Sequence, residues 1–107
     1  MSTFRTIAAT ITSVTVKTTG ANVLGLNIVN GHSAVVYVKF YNTDVATFQD
    51  TPVYTIAVPA TASVNQQATR ENLFGTSEGL CVRAVTNFAD GGNTAAATLP
   101  IIEVEYR

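Results

Sequence analysis

The stretch SAVVYVKFY, residues 33–41, decides the fold class. Within it Val36, Val38 and Phe40 alternate with Tyr37, Lys39 and Tyr41. Successive side chains of a strand point to opposite faces, so an apolar set at every second position marks a strand with one face on a core. Valine, tyrosine and phenylalanine also suit a pleated surface. The spacing predicts a strand over 33–41, with Tyr37, Lys39 and Tyr41 on its outward face.

The same period continues on both sides. Upstream, residues 22–30 put Leu24, Leu26 and Ile28 on one face. Residues 6–18 alternate Ile11, Ser13, Thr15 and Lys17 with Thr12, Val14 and Val16, and stop before Gly20. The tripeptide NGH, residues 30–32, reads as a hairpin turn, because Asn-Gly readily takes φ > 0. Downstream, the polar loop 42–52 carries Phe48 and leads to a strand over 53–58 with Tyr54, Ile56 and Val58 on one side, stopped by Pro59. A weaker strand covers 62–68. The loop RENLFGTSEG, residues 70–79, holds an apolar plug of Leu73 and Phe74. Strands over 80–87 and 100–107 follow, the last with Ile102, Val104 and Tyr106 inward and Glu103 and Glu105 outward.

No segment has a helical period, and the chain holds seventeen threonines and fourteen valines, whose branched Cβ suits strands. About seven to eight short strands spaced by turn signals predict an all-β antiparallel sandwich, jelly-roll or Ig-like. It is read as one domain over 1–107, with 1–20 as first strand or N-terminal arm.

Charged residues make up 12% of the chain and the net charge is −1. The usual charged share is about 25%. Such a surface has no basic field for nucleic acid or an anionic membrane, and it suits a chain packed in an assembly. The single cysteine, Cys81, excludes an intrachain disulfide. The N-terminus MSTFRTIAATITSVTVK lacks a charged leader followed by an apolar core, so synthesis in a cytosol is expected. No apolar run approaches the ~20 residues that span a bilayer.

The chemistry-bearing residues form no catalytic, metal or cofactor set. His32, the only histidine, follows a turn and has no Cys or carboxylate beside it. Cys81 sits in a strand between Leu80 and Val82 and reads as a small buried hydrophobe, although Arg83 shares its face. Glu103 and Glu105 on one strand face read as solvation, as an edge strand guarded by charge, or as a subunit contact. Asp90-Gly91-Gly92-Asn93 supplies too few oxygen ligands for calcium. Arg5, Arg70 and Arg107 are unspecific. The mixed face Tyr37, Lys39, Tyr41 could stack bases or sugars, or meet a partner, since tyrosine is enriched at interfaces. The small-residue stretch ADGGNTAAATLP, residues 89–100, is either a docking loop or a plain link between two sheets. The candidate protein–protein contact residues are Tyr37, Lys39, Tyr41, Phe48, Phe88, Asp90, Asn93, Glu103 and Glu105.

Three segments carry a family resemblance: GANVLGLNIVNGHSAVVYVKFYN, TPVYTIAVPATASV and GTSEGLCVRAVTNFADGGNTAAATLPIIEVEYR. A strand ending in Asn precedes Val-Tyr-Val-Lys-Phe-Tyr. Thr-Pro opens a strand that closes on Val-Pro. A Gly-Leu strand leads through a small-residue loop to a C-terminal strand ending in an aromatic and a basic residue. This pattern, over residues 20–107, resembles small virion proteins of tailed bacteriophages, above all capsid decoration (cement) proteins. The resemblance implies a β-sandwich without catalytic residues or cofactor. It implies the major capsid protein as partner, a homotrimer at local three-folds, and a place on the capsid surface rather than on nucleic acid or membrane. The alternative is a fibre-attached or carbohydrate-binding sandwich, against which the lack of Trp counts.

Overall fold

The computed structural model describes residues 2–69 and 71–107. Arg70 lies outside the described residues. The chain is all-β, with strands β1 Ser2–Thr6, β2 Val14–Lys17, β3 Asn22–Val29, β4 Val36–Tyr41, β5 Tyr54–Val58, β6 Ser63–Gln67, β7 Phe74–Gly75, β8 Leu80–Val85 and β9 Ile101–Tyr106. One antiparallel sheet has the order β1-β9-β3-β6, with the short β7 also on β3. The other has the order β2-β8-β4-β5.

The pairs β4·β5, β3·β6, β2·β8 and β1·β9 describe one long antiparallel ribbon that doubles back at loop 42–53. Rolling that ribbon brings β9 against β3 and β8 against β4. This is the jelly-roll order, and it replaces the Ig-like option. The core lies between the sheets. Val23, Leu26, Ile28, Ile102 and Val104 face Val36, Val38, Phe40, Val58, Val82 and Ala84, all buried. A register shift between Val23 and Gly25 turns Val23 inward in place of the expected Leu24, which is half-buried and outside the core. The expected plug is real. Phe74 stacks on Tyr54 at 4.6 Å and leans on Phe40 at 5.3 Å.

The sequence-based expectation also fails in two larger features. Of the strand expected over 6–18 only Thr6, the end of β1, and Val14–Lys17, β2, are strand; they lie in different sheets, and residues 7–13 connect them. Between them the Thr6 hydroxyl accepts from the Ala8 amide at 3.0 Å, and Ala9 is buried in the core. Alternation alone does not reveal where a chain leaves its sheet. The second failure is NGH, which is a crossover and not a hairpin, because β3 and β4 belong to opposite sheets. Gly31 does not take a positive φ. Instead the Asn30 side chain is 1% exposed. Its Nδ2 donates to the carbonyls of Ala34 (3.0 Å), Val58 (3.1 Å) and Pro59 (3.0 Å), while its Oδ1 accepts from the His32 amide (2.8 Å). One amide thus pins the β3–β4 and β5–β6 crossovers together.

In a tight turn, glycine would replace Asn30 with little loss. Here Asn30→Gly strands buried carbonyls and is expected to lower unfolding free energy by about 1–3 kcal/mol in urea. A change within about 0.5 kcal/mol, the usual range of a neutral surface substitution, would show that the amide is not the pin.

Candidate functional site

The outward positions of β4 and β8 lie side by side in register: Tyr37 against Val85, Lys39 against Arg83, Tyr41 against Cys81. The alternation read from the sequence is right about direction. It is wrong about exposure, since Lys39 and Arg83 are 0% exposed and Tyr41 1%. Ile11, Ala46, Ala89 and Asn93, from the connections 7–13, 42–53 and 86–100, reach over this face as a third layer, while Ala9 and Ala96 of the same connections pack in the core. Lys39 and Tyr41, expected as contact residues, are therefore buried within the chain instead of presented on its surface. Tyr37 is half-buried beneath Phe88, edge to face at 5.6 Å, and Phe88 is itself 74% exposed.

Arg83 holds the layer. Its Nε donates to the Ile11 carbonyl (2.8 Å), one terminal nitrogen to the Tyr41 hydroxyl (3.1 Å) and the other to Asn93 Oδ1 (2.5 Å). The Ala84 amide beside it donates to the Thr10 carbonyl at 3.1 Å. Lys39 Nζ donates to the Ala89 carbonyl. Residues 86–94 then close on themselves: the Thr86 amide donates to the Thr94 carbonyl (2.9 Å), and the Thr94 amide to Asn87 Oδ1 (2.9 Å). A Cβ on Gly92 would lie 2.3 Å from the Asn87 side chain, so only glycine fits this turn. The first half of 89–100 is thus fastened to its own sheet, and Ala96 reaches the core.

Burial sets the titration of this face. It lowers the Lys39 ammonium below the usual lysine range; the neighbouring Arg83 charge acts in the same sense, and Asp90 opposes them. Burial raises the Tyr41 phenol, against the hydrogen bond and charge of Arg83. It pushes the Cys81 thiol up to about 11, against a hydrogen bond from Ser13. Cys81 is the packed, protonated thiol that the sequence suggests.

Above Tyr41, Ala46 and Cys81, which pack together, the loops leave a groove of about 380 Å³. It is lined by Ile11, Thr12 and Ser13 from the first connection, Val45, Ala46, Thr47 and Phe48 from the second, and Asn93 from the third. The Ala46 amide donates to Ser13 Oγ at 3.1 Å, which ties the first two connections. Asp50 accepts from the Thr47 amide at 2.8 Å and closes the turn 47–50 that carries Phe48. The apolar rim is open: Val45 is 65% exposed, Phe48 44% and Ile11 39%.

The remaining candidates are scattered. Phe48 and Asn93 line the groove, and Asp90 is exposed in the turn beside Gly91, whose Cβ would come 3.7 Å from the Phe48 carbonyl. Glu103 and Glu105 are on the far sheet. They lie on β9, between β1 and β3, so they guard no edge; Glu103 accepts from Asn27 Nδ2 at 2.9 Å. Among the described residues no three His, Cys, Asp or Glu side chains group as a metal site. Sequence reasoning missed Ile11 and Val45 as rim and Arg83 as strut. The usable signal was LCVRAV, whose near-continuous apolar run reads as a strand covered on both faces. No family model, curated protein or solved structure matches the chain.

Arg83→Met should free three acceptors and loosen the layer. Unfolding free energy should fall by about 2–3 kcal/mol, and the Thr94 amide should exchange at least about tenfold faster. Unchanged exchange at Thr94 would remove Arg83 from this role. Cys81 should resist iodoacetamide at pH 8 in the folded chain and react at once in urea. Its folded pKa is raised, so the stability it contributes is complete below the unfolded thiol value and is lost as pH climbs through about 11. Rapid labelling of the native chain at pH 8 would contradict this burial.

Proposed function

We propose that the chain is a non-enzymatic structural protein of a bacteriophage particle, a capsid decoration (cement) protein that seats on the outer surface of the major capsid shell and stabilises it. The observation that carries this reading is the loop layer, where large apolar side chains stand exposed on loops braced from below. Apolar rims of this kind mark contact surfaces. Loops on a rigid scaffold are where binding residues usually sit. A chain with 12% charged residues and such a rim is suited to life in an assembly. The sequence pattern of residues 20–107 points the same way. A homotrimer around local three-folds is part of the proposal, as is a location on the virion.

A second reading is a fibre-attached or carbohydrate-binding module. The exposed Phe88 ring over Tyr37 favours it, because aromatic faces stack on sugars.

The test uses heads of the encoding bacteriophage that lack this chain. Purified protein added to them should co-sediment and saturate at a fixed ratio to the shell subunit, and light scattering should give a trimer free or on the shell. Failure to co-sediment at any protein concentration would exclude the cement reading, and retention on a glycan array would then favour the second.

A further inference from the structure

The three loops over the second sheet, 7–13, 42–53 and 86–100, contain no lysine or arginine. They contain Asp44, Asp50 and Asp90, which are all the aspartates of the chain, and each is exposed. The cations beneath them, Lys39 and Arg83, are fully buried and engaged with Ala89, Ile11, Tyr41 and Asn93. The exposed charges of these three loops are therefore all negative, above two buried cations whose hydrogen-bond acceptors are neutral, and the strand beside Asp44, β2, carries Lys17.

We propose that this groove receives an apolar side chain from a partner protein segment flanked by lysine or arginine. The apolar half of the fit comes from Val45, Phe48 and Ile11, exposed at the rim. The groove, about 380 Å³, is large enough to take one big aliphatic or aromatic side chain. The charged half comes from Asp44, one residue from Val45, and from Asp90, one residue from the Gly91 that lies against the Phe48 carbonyl. Asp50 is held in place by the Thr47 amide, so its charge is fixed on the turn that carries Phe48. Opposite charges around an apolar contact speed the encounter and fix register, while the buried apolar anchor carries most of the affinity. The lining is preorganised. Ser13 joins the first two connections at Ala46, and Arg83 holds Ile11 and Asn93 from below, so little ordering remains when a partner arrives.

The proposal names what the loop layer binds and rests on reading that layer as a docking face. The probe is acetyl-Lys-Lys-Leu-Lys-Lys-amide, titrated into the 15N-labelled full chain, with the Glu counterpart as control. Saturable amide shifts are expected at Thr12, Ala46, Thr47 and Asn93 with the basic peptide alone. Affinity should fall about fivefold or more between about 50 mM and about 300 mM NaCl. Val45→Ser, at an exposed position, should weaken binding about fivefold while leaving the spectrum folded, and Asp44→Asn with Asp90→Asn should remove most of the salt dependence. Equal shifts with both peptides, or shifts scattered away from these residues, would overturn the proposal. The same variants separate it from the particle role. If they pellet with phage heads as well as the wild type does, the groove is not the contact and the proposal falls while the cement reading stands. If peptide binding behaves as expected but the wild type does not pellet, the groove is upheld and the cement reading falls.

Discussion

Arg83 is a guanidinium with no access to water and no carboxylate among its hydrogen-bond partners. A buried cation left without partners is strongly unfavourable, so the acceptors must come to it. They come from three places far apart in sequence: a carbonyl before β2, a phenol at the end of β4 and an amide oxygen after β8. The planar fork of donors on arginine suits this bridging in a way that a single ammonium does not. Lys39 sits in register beside it and fastens the start of the last loop through Ala89. Two like charges side by side repel. The layer of carbonyls and amides above them, with Asp90 nearby, supplies the compensating polarity.

That constraint is a consequence of the jelly roll. When the ribbon rolls up, the segments joining β1 to β2, β4 to β5 and β8 to β9 all begin or end in the second sheet. They are long, and they lie back across the outer face of that sheet. Among the described residues the first sheet has no such cover. Its outer face shows Thr3, Arg5, Asn27, Asn65, Gln67, Glu103 and Glu105, none of them buried. The molecule is therefore two-sided, with a bare polar sheet on one side and a braced apolar and acidic loop layer on the other. The loop layer carries an exposed apolar rim around a groove.

β4 and β9 were legible because each reports its own burial. In β9, Ile102 and Val104 point to the core and Glu103 and Glu105 do not; in β4, Val36, Val38 and Phe40 do the same. The plug at Phe74 was legible too, as an apolar pair in a polar loop. The site was legible only in part. Phe48, Asp90 and Asn93 stood out and do lie in the loop layer, whereas Val45 and Ile11 looked like ordinary members of a loop and a strand. Asn30 was read as a turn residue because its neighbour is glycine, and its real partners lie near positions 34 and 58.

The sequence by itself determined the class of the protein: an all-β chain, low in charge, with a period of two. Periodicity and composition are local properties, and local properties survive in a linear reading. Tertiary structure alone decided which strands pair, that 6–18 divides between two sheets, and that the outward face of β4 is buried. Those outcomes depend on contacts between distant segments. The same side chain at position 39 is a surface lysine under water and a structural tie under a loop, and only the loop's position decides between them.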